Sequence, residues 1–251
     1  MAASSQDEKY RAPALEKGLE ILEALAGAER PMTGSQIAAA LDRSTNELFR
    51  MIQVLERKGY IGAAPDGEGF ELTNKLFSLG VSRAQMRDLS EAALPVMRRL
   101  ASAIRQSCHI AVRSGVQIAV VARVEDPSYY GYSVRAGHRR KVIESTSGAV
   151  IYAFQPDEVR ADWDGQLFKD VAAEARETFL ANAERIRERG LWMRNSDLVP
   201  MVIDLSAPIL MNGAAVAALT TPYVPKASAL SIDETSQQLI AAAQEITTAI
   251  Q

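Results

Sequence analysis

Between Ser44 and Lys58, the polar residues Asn46, Glu47, Arg50, Gln53 and Arg57 fall opposite Leu48, Met51, Ile52 and Leu55, which recur at i, i+3, i+4 and i+7. Asparagine, glutamine and arginine are the side chains that match base edges with paired hydrogen bonds. Ser44 and Thr45, at the start of such a helix, suit a phosphate. A solvated polar face is the plainer reading of the same residues. Elsewhere the chemistry is sparse. Cys108 and His109 are neighbours, and neighbours on a strand point to opposite faces, so they cannot act together as nucleophile and base. Cys108 is expected in a core or cavity wall, and His109 as a satisfied polar residue. His138 stands in a basic run with Arg139, Arg140 and Lys141, expected to be a solvated loop. The sequence holds no Gly-x-Ser-x-Gly elbow, phosphate-binding loop, Gly-x-Gly-x-x-Gly turn or metal-spaced His/Asp cluster. No enzyme activity, metal or cofactor is therefore expected, although turnover of a small molecule would reopen the question.

The elements that must position these residues follow from periodicity. Pro13 opens a helix whose stripe reads Leu15, Leu19, Leu22 and Ala26, with Glu16, Glu20 and Glu23 outward, ended by Gly27 and Pro31. Thr33 caps a short helix that turns Ile37, Ala38 and Leu41 inward, and Ser44 or Thr45 caps a third helix that stops at Gly59. Tyr60-Ile61, a turn at Pro65-Asp66-Gly67 and Phe70-Glu71-Leu72 form a hairpin. Thr73 then starts a short helix with Leu76, Phe77 and Leu79. Three helices and a two-stranded ribbon make a winged helix-turn-helix.

From Ser82 to Ser107 the pattern is helical, with Pro95 expected to break or kink it into a connecting helix and the first helix of a second domain. That domain alternates strands at 108–113, 116–125 and 130–136 with helices near 147–154 and 171–189. No charge lies between Asp204 and Lys226, but prolines and Asn212-Gly213 interrupt the run. It reads as a hairpin of buried strands over 205–210 and 214–220, not a membrane span. Ser231 and Glu234 form a capping box for a closing helix. The fold class is α+β.

Over 251 residues, 28 Lys+Arg face 31 Asp+Glu, and the net charge of −3 excludes a polycation that grips nucleic acid by bulk charge. Residues 30–60 hold five basic against three acidic side chains, whereas residues 1–80 hold nine against twelve. One copy would bind DNA weakly, so function implies a dimer that presents two helices. One cysteine excludes a disulfide framework. The polar start through Arg11 reads as a mobile arm without a signal pattern, which suggests the cytoplasm.

The segments Ala12-Pro13-Ala14-Leu15-Glu16-Lys17-Gly18-Leu19-Glu20-Ile21-Leu22 and Leu48-Phe49-Arg50-Met51-Ile52-Gln53-Val54-Leu55-Glu56-Arg57-Lys58-Gly59-Tyr60-Ile61 resemble the isocitrate lyase regulator (IclR) family of bacterial transcription factors. The likeness continues through Phe70-Glu71-Leu72-Thr73, Cys108-His109-Ile110-Ala111-Val112, Val121-Ala122-Arg123-Val124-Glu125, Thr146-Ser147-Gly148 and Leu205-Ser206-Ala207-Pro208-Ile209, in order over nearly the whole chain.

The resemblance implies an arm at 1–11, a winged helix-turn-helix at 12–80, a linker helix at 81–94 and a GAF-like, metabolite-binding domain at 95–251. It implies double-stranded operator DNA and a small organic acid effector as partners, with assembly as a homodimer or dimer of dimers. The DNA-facing set would be Thr33, Ser35, Arg43, Ser44, Thr45, Asn46, Arg50 and Gln53. Asn46-Glu47 stands where the family usually has Ser/Thr, and Glu47 is expected to repel phosphate or to prefer a cytosine amino group.

The effector set implied is Ser145, Thr146, Ser147, Gly148 and Ala149, with Asp204, Thr220, Tyr129, Cys108 and Arg194. Asp204 replaces a residue that is often cysteine in the family. Such an acid would repel a carboxylate unless protonated, or would accept a hydrogen bond from a ligand hydroxyl or N–H. A hydroxylated aromatic acid fits that pattern.

Overall fold

The computed structural model describes residues 12–64, 67–76, 79, 84–128, 131–227 and 229–251, with the side chains of 84–88 excluded. The expected arm, the wing turn at Pro65-Asp66, Phe77, Gly80, Tyr129 and Tyr130 lie outside the described residues. Contacts divide the chain into two units after Met86.

In the first unit, α1 (Pro13–Gly27), α2 (Gly34–Ala40) and α3 (Thr45–Arg57) precede the antiparallel pair β1 (Ile61–Ala63) and β2 (Phe70–Leu72). Met32 adds a bridge to Phe70. Thr33 caps α2 in a reciprocal box with Gln36, and the Ser44 hydroxyl accepts the Glu47 N–H at 3.3 Å to start α3. Ile21, Leu25, Ile37, Leu48, Ile52 and Ile61 form the core, each worth about 1.5–3 kcal/mol on burial.

The α1 stripe differs from expectation. Leu15 and Leu19 are 62% and 51% exposed, Ala26 is exposed, and the fully inward residues are Ile21 and Leu25. Either stripe satisfies the helical period. The one that wins faces α3 and is fixed by Glu20, which turns toward Arg43 instead of toward water.

In the second unit, α4 (Ala84–Ile104) leads into a six-stranded antiparallel sheet. Its strands are β3 (Cys108–Ser114), β4 (Gln117–Val124), β5 (Arg139–Lys141), β6 (Trp192–Asn195), β7 (Ile203–Met211) and β8 (Ala214–Tyr223), in the order β5-β4-β3-β8-β7-β6. One sheet face packs against α4 and α8 (Ile232–Ala249) through Cys108, Ile110, Leu205, Ile209 and Leu219. The other packs against α5 (Thr146–Ala153), α6 (Asp157–Leu167) and α7 (Ala173–Arg189) through Ala111, Ile118, Val120 and Ala218. Asn212 (φ 51°) and Gly213 (φ 80°) supply the left-handed pair that the tight β7–β8 turn requires. The Ser231–Glu234 capping box opens α8.

Three further expectations are corrected. α4 runs unbroken through Pro95, because that residue faces solvent beside an exposed Glu91 while Ala93, Val96 and Met97 are buried. The carbonyl deprived of its partner can then be hydrated. The described part of 130–136 is irregular, and the edge strand is β5 instead, so Arg139–Lys141 are not a loop. Finally, α6 precedes α7 as a separate helix whose inward residues are only Trp163 and Leu167, too few to register as a stripe. Among the described residues, no helix is long and apolar enough to cross a membrane.

Candidate functional site

Burying Leu48 and Ile52 forces the opposite side of α3 outward, and Thr45, Asn46, Arg50, Gln53 and Arg57 are all exposed there. Among the described residues Arg50 has no recorded ion pair and is free to extend. Ser44 remains exposed although its hydroxyl serves as the cap. Thr33 and Ser35 are exposed at the start of α2. Arg43 is different. Its guanidinium is held by Glu20 at 3.0 Å and by Glu47 at 3.0 Å, so it is half-buried and occupied within the domain.

Glu47 is not a loose negative charge either. Lys17 sits 2.7 Å from it, Arg43 reaches it from the other side, and the hydrogen bond from Lys17 holds its carboxyl below the usual range. This pairing offsets the charge that was expected to repel phosphate. Sequence reasoning passed over Phe49, which is 55% exposed one turn after Thr45 and one before Gln53. An aromatic in that arc can meet a thymine methyl. Its apolar type concealed it, because apolar side chains on an amphipathic helix ordinarily face the core.

The second site lies on the α5 face of the sheet. His109 on β3 pairs with Thr220 on β8, and Thr220 pairs with Ser206 on β7. Asp204, two residues along β7 from Ser206, shares that face. Ser145, Thr146 and Ser147 descend on this row from the start of α5, and together they enclose a cavity of about 50 Å³ with Arg140, His138, Tyr132 and Leu198. Ser145 caps α5 by accepting the Gly148 N–H at 3.0 Å, and Ala149 N–H bonds to the Ser145 carbonyl. The first-turn amides of Thr146 and Ser147 have no carbonyl four residues back to accept them.

Among the described residues, His109 Nδ1 is a buried polar atom of this cavity without a partner, whereas the Thr146 hydroxyl lies toward the Asp204 carboxyl and helps to hold it down. The expectation of a satisfied His109 is thereby corrected. Burial pushes its imidazole down to about 4, with His138 adding to the effect, so it is neutral at pH 7. Burial likewise raises the Asp204 carboxyl, against the pull of Arg194 and Arg140. Thr220 is already engaged, its hydroxyl 2.8 Å from that of Ser206.

Of the effector residues expected from sequence, Ser145, Thr146, Ser147, Asp204 and Thr220 meet at the cavity. Gly148 and Ala149 are buried behind it in α5 and shape the turn. Arg194 stands opposite Asp204 on β6, where its guanidinium bonds the Glu144 carbonyl at 2.7 Å and Asp197 at 3.0 Å. Cys108 is not part of the site. It faces the α4 side, its thiol directed at the Met97 carbonyl and pushed up to about 12 by burial. Tyr129 lies outside the described residues.

Sequence reasoning missed His109, His138 and Arg140 as cavity residues. Strand alternation separated Cys108 from His109 but could not say which face carried the cavity. Arg140 arrives by pairing with Ile118 on β4, a long-range register that no local signal announces.

Comparison with known proteins agrees with this arrangement. The IclR helix-turn-helix domain matches residues 14–64, and the bacterial transcriptional regulator IclR C-terminal domain matches residues 81–248. The chain is 24% identical over 208 residues to the HTH-type transcriptional regulator KdgR of Escherichia coli K12, covering 81% of this chain and 79% of that protein. It is 24% identical over 214 residues to the HTH-type transcriptional repressor AllR of the same strain, covering 83% and 79%.

Among solved structures, an IclR homologue from Microbacterium hydrocarbonoxydans complexed with 4-hydroxybenzoate superposes with a TM-score of 0.77 at 20% identity over 94% of this chain and 98% of that one. Pseudomonas aeruginosa HmgR gives 0.71 at 23%, with the same coverage. These two likenesses establish the fold. The relatives are regulators, not enzymes. With both domain families matched in order along the chain, the protein belongs to the IclR family of transcriptional regulators, with a helix-turn-helix DNA-binding domain and a C-terminal effector domain.

Proposed function

We propose that this regulator reads its operator with the exposed face of α3 and responds to a small organic acid that carries a hydroxyl group, a hydroxylated aromatic acid fitting best. The observation that carries the effector reading is the buried His109 Nδ1, without a partner among the described residues, in one cavity with Asp204. Each unsatisfied buried group costs about 1–3 kcal/mol, which a ligand that supplies the missing partner returns as affinity. A carboxylate suits the free amides at the start of α5, where the helix dipole favours negative charge, with Arg140 beside it. A ligand hydroxyl then shares a hydrogen bond with the Asp204 carboxyl. The 4-hydroxybenzoate bound by the Microbacterium relative belongs to this chemical class.

A cavity of about 50 Å³ is far below the ~300–1,000 Å³ of a typical ligand site. A ring enters only by displacing the apolar wall of Tyr132, Val134 and Leu198, which stand on irregular segments rather than on strands. Such a displacement is where a ligand would do work on the fold. A coupling of ~1–3 kcal/mol to the DNA-binding domain through the linker helix is enough for several-fold control of operator occupancy.

On the DNA side, Arg50, Gln53 and Asn46 address base edges, while Ser44, Thr45, Thr33 and Ser35 address phosphates. A homodimer or dimer of dimers supplies a second α3. The ion pairs of Glu47 favour DNA binding over the alternative of a winged helix that serves as an interaction module, an alternative that the acidic first helix would otherwise suit.

Calorimetric titration with 4-hydroxybenzoate tests the effector reading. Asp204→Ala is expected to weaken binding by at least about tenfold, the equivalent of ~1.4 kcal/mol. Unchanged affinity contradicts the role given to Asp204.

A further inference from the structure

The charges around the cavity do not balance when an anion enters. Arg140 and Arg194 both reach Asp197 Oδ2, at 2.9 and 3.0 Å, so one carboxylate already answers two guanidinium groups. Asp204 lies across from Arg194 in the β6–β7 register and supplies the second negative charge. His109, neutral and without a partner at Nδ1, adds none. His138 lines the opening and is exposed there. The set is therefore two cations against two anions, and a ligand carboxylate brings a third anion into a half-enclosed space where charges are poorly screened.

We propose that the cavity admits one carboxylate per ligand and takes up one proton from water with it, the proton residing on Asp204. The site thus selects monocarboxylic acids and rejects dicarboxylates. This rests on the reading of the cavity as an effector site.

Three features of the site support the assignment. Asp204 is the only carboxylate among the residues that line the cavity, so the repulsion falls on it first. Its burial already favours the neutral form. Neutralising it restores two cations against two anions, and the protonated carboxyl becomes a donor able to hydrogen-bond a ligand oxygen or the unpartnered His109 Nδ1. A second ligand carboxylate finds no such relief, because Arg140 and Arg194 are already held by Asp197 and the Glu144 carbonyl. The same logic fixes the pH dependence. A site that takes up one proton with its ligand loses affinity as pH rises above the free-protein pKa of that group, approaching tenfold per unit.

The test uses the full chain. Thermal shift is measured with lactate, benzoate and 4-hydroxybenzoate, and with malate and terephthalate as dicarboxylate counterparts. The tightest binder is then titrated calorimetrically at pH 7 in two buffers of different ionisation enthalpy. One proton taken up per ligand and at least tenfold weaker binding of the dicarboxylates are expected. Asp204→Asn, close in shape, is expected to abolish the proton uptake and the pH dependence, to tolerate a dicarboxylate better, and to melt no lower than the parent at pH 7. Zero uptake in the parent, uptake that survives in Asp204→Asn, or equal affinity for mono- and dicarboxylates overturns the proposal while leaving the effector site standing. If none of these acids binds, the effector reading fails and the proposal with it.

Discussion

At the scale of single residues, the proposed effector site contains groups that are costly to bury. His109 is the clearest. Its folded pKa of about 4 lies below the 6.5 of the unfolded side chain, so between those values the unfolded chain binds more protons and stability is lost as pH falls. The shift corresponds to roughly 3 kcal/mol. Denaturant unfolding at pH 7 and pH 4 is expected to show a steeper loss for the parent than for His109→Gln, by about that amount, and parallel losses would contradict a buried neutral imidazole. Asp204 was legible in the sequence as a departure from the family pattern, whereas His109 was not, because nothing local reveals that its Nδ1 lacks a partner. Cys108 shows the reverse case. The family resemblance placed it in the effector set, but strand alternation puts it in the opposite core.

At the scale of elements, the same amphipathic arithmetic succeeded for α3 and misplaced the stripe of α1. In α3 Leu48, Met51, Ile52 and Leu55 cluster on one face and turn it inward, although Phe49 and Val54 stay exposed, and Ser44 fixes where the helix begins. In α1 leucines occur on more than one side, and only the ion pair from Glu20 to Arg43 and the contact with α3 decide which of them is buried. Gly148 stands third in α5, after the Ser145 cap, and close packing requires a glycine there. A Cβ at Gly148 would press on the Val142 carbonyl oxygen and lie 2.5 Å from Ser145 Oγ and 2.7 Å from Val142 Cα. Gly148→Ala is therefore expected to lower stability by about 1–3 kcal/mol and to disturb the Ser145 cap at the edge of the cavity, which a melting curve with and without 4-hydroxybenzoate would show. A melting temperature equal to the parent's would mean that the turn is looser than its geometry implies. The β5 edge, by contrast, depends on a pairing between Arg140 and Ile118 across a long connection, and no periodicity encodes it.

At the scale of the whole molecule, two domains of different chemistry share one chain with a net charge of −3. Bulk charge does not account for DNA binding by such a protein. DNA binding then depends on a small, correctly shaped polar ridge on one domain and, in the function proposed above, its control depends on a cavity in the other. The ridge comes first, since an effector has nothing to control without it. Anisotropy of labelled DNA from the promoter upstream of the protein's own gene, titrated with the full chain at fixed salt, tests this most directly. Arg50→Ala is expected to weaken binding by about 1–3 kcal/mol while leaving the melting temperature unchanged, because the side chain is exposed and makes no recorded ion pair among the described residues. Binding by the variant as tight as by the parent would contradict the account of α3 as the element that reads the operator.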